Sequence, residues 1–132
     1  MAAGINILVN DGGAPARIMK VGNASADIDA GTFVIFNGTA VAPADADLPD
    51  CSNALGVLFV DATSGDPASV LTGSGIMCFL KGTGVIAAGN NLSHNDAGLA
   101  KNAGIAATDQ RLAVALEAID ATHTGFVKAL IL

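Results

Sequence analysis

The chain has no tryptophan and no tyrosine, and its only large aromatic residues are five phenylalanines. Sugar-binding faces usually stack rings against the ligand, so a β-barrel carbohydrate-binding or adhesin-like module is left as the weaker of two binding readings. Basic residues are equally scarce. Six Lys and Arg stand against twelve Asp and Glu, giving a net charge of −6. Binding to a phosphate backbone depends on clustered cations that displace counterions, so nucleic acid is not expected as a partner. Cys51 and Cys78 lie far apart with no C-x-x-C spacing, which implies neither a zinc site nor a disulfide framework. No apolar run is long enough to cross a bilayer, and MAAGINILVNDGG lacks the basic start and continuous apolar stretch of a signal peptide. The product is expected to be made in the cytoplasm, with no membrane as partner.

What remains is small and apolar. Of 132 residues, 52% are hydrophobic and 16 are glycine. A chain of this length can bury roughly two-thirds of its unfolded surface, so a core without staples is feasible. Glycines recur every five to ten residues over most of the chain, which leaves no window for an ordinary helix. At most one short helical turn fits, in 45–54.

The chain also resembles itself. LGVLFVDATSGDPASVLTG (Leu55 to Gly73) and LAVALEAIDATHTGFVKALIL (Leu112 to Leu132) both run an apolar stretch into Asp-Ala-Thr, a Gly and a second apolar stretch. Sliding the sequence by 57 to 60 residues also sets Ala30-Gly31 against Ala88-Gly89, and Asn37-Gly38 near Asp96-Ala97-Gly98. Either the fold is built from a duplicated unit, with half-repeats of about 24–76 and 82–132, or an Ala/Gly-rich chain matches itself by chance.

Strand signals dominate both halves. Thr32 to Phe36 ends at Asn37-Gly38, a hairpin signal, and resumes at Thr39 to Val41. Leu55 to Val60 is rich in β-formers. In Leu112 to Ile119, large and small residues alternate with period two, which decides for strand over helix. Ile76 to Leu80, Gly84 to Ala87 and Phe126 to Leu132 complete the set. The expected fold is all-β, a small barrel or sandwich formed by residues 23–132. Residues 1–22 are expected to be an N-terminal arm or linker, in which INILV (Ile5 to Val9) is cut off by Asn10-Asp11-Gly12-Gly13.

Catalytic, cofactor and metal chemistry find little support. His94 and His123 are the only histidines; a zinc site needs more ligands, and Asp120 with His123 reads as turn chemistry. Gly82-Thr83-Gly84-Val85-Ile86-Ala87 fits a dinucleotide fingerprint, but Ala88-Gly89-Asn90-Asn91 cannot form the helix that must receive the pyrophosphate. Asp45 to Asp50 lacks the Gly and bidentate Glu of a calcium loop. Three N-x-S/T sequons carry no weight without a secretory signal. No enzyme activity, cofactor or metal is expected, and function is expected to lie in a surface.

Two runs carry a family resemblance. Ala30-Gly31-Thr32-Phe33-Val34 with Leu55-Gly56-Val57 and Asp61-Ala62-Thr63-Ser64-Gly65-Asp66 is one. Ala88-Gly89, Asp96-Ala97-Gly98 and Leu112-Ala113-Val114-Ala115-Leu116-Glu117-Ala118 form the other. Together they resemble the capsid cement, or head decoration, proteins of tailed bacteriophages, over about residues 24–132. Ala113 and Asn90 depart from that family's usual Gly and acid. The resemblance implies a non-enzymatic virion protein that binds the major capsid protein on the outer surface of an assembled shell, as a trimer, and stabilises it. The candidate contacts are the strand Ile5, Asn6, Ile7, Leu8 and Val9, added to a capsid sheet, with Arg17 and Lys20 facing acidic capsid loops.

Overall fold

The computed structural model describes residues 17–44, 54–95, 97–103, 112–120 and 125–132. These form ten strands and no helix: β1 (Arg17–Asn23), β2 (Phe33–Phe36), β3 (Val41–Pro43), β4 (Gly56–Leu58) and β5 (Pro67–Thr72), then β6 (Met77–Lys81), β7 (Asn91–His94), β8 (Ala100–Asn102), β9 (Ala113–Ala115) and β10 (Phe126–Ile131). They pair into two five-stranded sheets ordered β1-β5-β4-β2-β3 and β6-β10-β9-β7-β8. Adding five to each strand of the first order gives the second. The fold is therefore all-β and made of two topologically identical halves.

Each sheet curls until its outer strands meet. In the first half the end of β1 reaches β3 through a parallel bridge between Ala24 and Val41, and in the second Gly82 meets Ala100 in the same way. The equivalence extends to single hydrogen bonds. Gly31 N donates to Leu58 O and Gly89 N to Ala115 O, both at 2.8 Å; Ser25 N donates to Val41 O and Thr83 N to Ala100 O. The turn after β2 is locked by Asn37 Oδ1, which accepts from Thr39 N at 3.0 Å and Ala40 N at 2.9 Å. Its counterpart Asn95 Oδ1 accepts from Ala97 N and Leu99 N at 2.9 Å. An Asn side chain that substitutes for a backbone acceptor is a common way to close such a turn.

The interior of the first half is Ala24, Ile28, Val34, Val41, Leu58, Ala62, Ala68 and Val70. Its hydrogen-bond equivalents in the second half exchange volume. Leu58, Val41 and Val70 are replaced by Ala115, Ala100 and Ala129, while Ala62, Ala68 and Val34 are replaced by Ile119, Val127 and Leu92. Close packing is satisfied twice with different distributions of nearly the same apolar volume, because a core tolerates exchange when total volume is approximately kept.

The halves pack on each other asymmetrically. The outer face of the first sheet, with Phe33, Ile35, Val57 and Leu71, joins one apolar cluster with Ile76, Cys78, Leu80 and the interior of the second half. Among the described residues two backbone bonds cross this seam, Lys81 N to Gly31 O at 2.9 Å and Phe33 N to Gly98 O at 2.8 Å. Burial of each of these large side chains is worth about 1.5–3 kcal/mol, so the seam rests on apolar contact.

Several expectations are corrected. Arg17–Asn23 is a full strand paired with β5, so residues 17–22 belong to the sheet and not to an arm. Met77–Lys81 likewise opens the second half. Gly84 to Ala87 is not a strand: Gly84 has φ +74°, and only Ile86 bridges, to Ile119. The Asn37-Gly38 hairpin uses a four-residue turn closed by Asn37 N to Ala40 O, and its strand resumes at Val41, two residues later than the sequence suggests.

Candidate functional site

Among the described residues no group of three or more His, Cys, Asp or Glu is placed to hold a metal ion. His94 is buried in the seam, its Nδ1 at 2.9 Å from Asn95 O and its ring 6.2 Å from that of Phe33. Among the described residues its Nε2 and the neighbouring Ser93 Oγ have no hydrogen-bond partner. His123 lies outside the described residues and Asp120 is exposed. The Gly82-Thr83-Gly84 run spends its amides on the sheet: Gly82 N donates to Gly125 O and Thr83 N to Ala100 O, both at 2.9 Å. Those groups are therefore committed, and the single bridge at Ile86 and the turn at Ala88-Gly89 stand where a dinucleotide site needs a helix N-terminus.

A cleft of about 140 Å³ opens at the seam, lined by Phe33, Val57, Leu71, Ile76, Leu112 and Ile131, among others. Small-molecule sites usually enclose about 300–1,000 Å³ with a few convergent polar groups. This cleft is smaller, and Thr72 is the one polar side chain among the described residues that line it.

The surface offers more. β1 pairs with β5 along its length but meets β3 only at Ala24, so its second edge from Arg17 to Lys20 is unpaired among the described residues. An edge of this kind is a template for another chain. Ile18 and Met19 on it are 47% and 49% exposed. Arg17 and Lys20 flank them, both exposed, which puts two of the chain's six cations on one strand of an acidic protein. The apolar stretch between two cations combines backbone, hydrophobic and ionic recognition. Of the candidate contact residues, Arg17 and Lys20 thus lie on the same strand edge, with side chains on opposite faces, while Ile5, Asn6, Ile7, Leu8 and Val9 lie outside the described residues. Ile18 and Met19 were not among the sequence candidates; the signal that could have found them is an apolar pair between two cations in a chain with few cations.

No protein-family model matches the sequence, and no curated protein does. Among solved structures, the chain is similar to the N base of the head fiber gp8.5 of bacteriophage phi29. The match has a TM-score of 0.64 and 14% sequence identity, and covers 89% of this chain and 93% of that one. At such identity the likeness is one of fold, and it extends over both halves.

Proposed function

We propose that the chain is a structural virion protein of a tailed bacteriophage that binds the outer surface of the assembled capsid and stabilises it, without enzymatic activity. The observation that carries this reading is the near whole-chain likeness to the base of a phage head fiber. The decoration-protein resemblance in Ala30 to Asp66 and Ala88 to Ala118 points the same way. The finer assignment is to a decoration or cement role, with the major capsid protein as partner and a homotrimer as the binding form.

The β1 edge supplies a physical route. Arg17 and Lys20 face acidic loops of the shell while Ile18 and Met19 lose exposed apolar area, and Ile5 to Val9 lie just upstream to extend the contact by strand addition. Binding to the assembled state alone stabilises it by mass action, about 2.7 kcal/mol per site when free protein is at 100 times its dissociation constant. Repeated over many sites, that is a large effect on a shell under internal pressure.

The test is co-sedimentation with the virus's own heads stripped of this protein, comparing expanded heads with unexpanded precursors. Saturable binding to expanded heads, weakened by Arg17→Glu with Lys20→Glu, is expected. Failure to bind either form at any concentration would overturn the reading.

A further inference from the structure

The two halves carry the same fold but bury different parts of it, and the difference falls on complementary surfaces. The first half uses its Ala30-Gly31 turn and the outer face of β2, β4 and β5. The second uses the edge of β6 and the β7–β8 turn. Ala30 and Gly31 are buried, whereas their equivalents Ala88 and Gly89 are exposed. Phe33, Val57 and Leu71 are buried, whereas their equivalents Asn91, Val114 and Leu130 are only half-buried.

The other surface shows the reverse. His94 is 1% exposed in the seam, and its equivalent on the first half, Phe36, is 44% exposed. A Cβ at Gly98 would lie 2.4 Å from Phe33 O, but one at Gly38, in the matching turn, meets nothing within 4 Å. Lys81 N is bonded across the seam to Gly31 O, whereas Asn23, which pairs with Pro67 as Lys81 pairs with Phe126, is exposed.

We propose that a second copy of this chain occupies these faces: the Asn23, Phe36 and Gly38 end of one copy docks on the Ala88-Gly89 turn and Val114-Leu130 face of the next, repeating the internal seam between molecules. Asn23 N–H then donates to Gly89 C=O of the neighbour, as Lys81 N–H does to Gly31 C=O within the chain. The contact is head-to-tail, because each half presents only one of the two vacant surfaces, so successive copies close into a ring when the rotation permits. This inference assigns the surfaces of the self-association proposed above. A monomer that still binds heads would sink it while leaving the capsid reading intact.

Sedimentation velocity on the full chain is the test. The wild-type protein is expected to run as a discrete oligomer that dissociates on dilution. Ala88→Arg on one surface and Phe36→Ser on the other, both at exposed positions, should each weaken association about 30-fold, the effect of losing one hot-spot contact, with unchanged circular dichroism. Asn23→Lys combined with Ala87→Asp would recreate between copies the ion pair that Lys81 and Asp29 make across the seam. That double variant should associate more tightly at low salt than at high salt. A wild-type monomer at every attainable concentration, or an oligomer indifferent to both single variants, would overturn the proposal.

Discussion

Gly31 and Gly89 share the same backbone conformation, φ +89°, in equivalent turns of the two halves, yet only one of them is enclosed. A Cβ at Gly31 would lie 3.0 Å from both Lys81 N and Phe126 Cε1, and 3.2 Å from Phe79 O, while at Gly89 nothing stands within 4 Å. The pair separates two costs that usually arrive together. Left-handed strain, about 1–2 kcal/mol for a residue with a Cβ, applies to both. Crowding of the seam applies only to Gly31, and overpacking adds about 1–3 kcal/mol. Gly31→Ala should therefore lower urea-unfolding stability by more than Gly89→Ala, measured at concentrations where the protein is monomeric. Equal losses would mean that the halves do not pack through this turn.

The exchanged core volumes predict non-additivity. A Cβ at Gly82 would lie 2.8 Å from Ile119 Cδ1, whereas the first half holds Ala24 beside the smaller Ala62. Gly82→Ala should destabilise, and Ile119→Val, which removes that Cδ1, should cost about 0.5–1.5 kcal/mol alone. Together they should cost less than the sum of the two, since the second change vacates the space that the first needs. Strict additivity in a double-mutant cycle would count against the assigned equivalence of the two cores.

The duplication was legible in the sequence, but through a partly misplaced anchor. The bridges Ile28 to Ala62 and Ile86 to Ile119 make Ala62 equivalent to Ile119, an offset of 57. The Asp-Ala-Thr triplets stand at an offset of 59, so they are two residues out of structural register. Asp61 Oδ1 accepts from Ala30 N at 2.7 Å, and the residue in its place in the second half is Ala118, which cannot. The Ala30-Gly31 and Ala88-Gly89 match held because a positive φ requires glycine at both turns. β1 was missed because RIMKVGN carries two cations and no clean alternation, and a bulge between Lys20 and Gly22 breaks its period. Arg17 and Lys20 were legible as candidate contacts, but that they lie on an open strand edge with Ile18 and Met19 follows only from the pairing of β1.

The ion pair between Lys81 Nζ and Asp29 Oδ2 crosses the seam, but both side chains are substantially exposed. Exposed pairs contribute about 0–1 kcal/mol, whereas truncating a buried Leu costs about 2–5 kcal/mol. Asp29→Ala should thus shift the urea midpoint slightly and Leu71→Ala greatly. A larger loss from Asp29→Ala would show that the halves are joined by charge and not by the apolar cluster.

Burial in the same cluster pushes the Cys78 thiol up to about 12, from an ordinary value of 9.0. The charged thiolate is disfavoured where water is excluded. Above pH 9 the unfolded chain releases this proton and the folded chain retains it, so the folded state binds more protons and stability falls as pH rises, by up to about 1.4 kcal/mol per pH unit until about 12. Well below pH 9 both states keep the proton and the group contributes no slope. In a Cys51→Ser background, a thiol reagent at pH 8 should label Cys78 only as fast as the protein opens, and Cys78→Ala should flatten the alkaline limb of the stability profile relative to Cys51→Ser alone. Rapid labelling of the native protein, or an alkaline limb unchanged by Cys78→Ala, would place this thiol at an accessible surface and remove it from the seam.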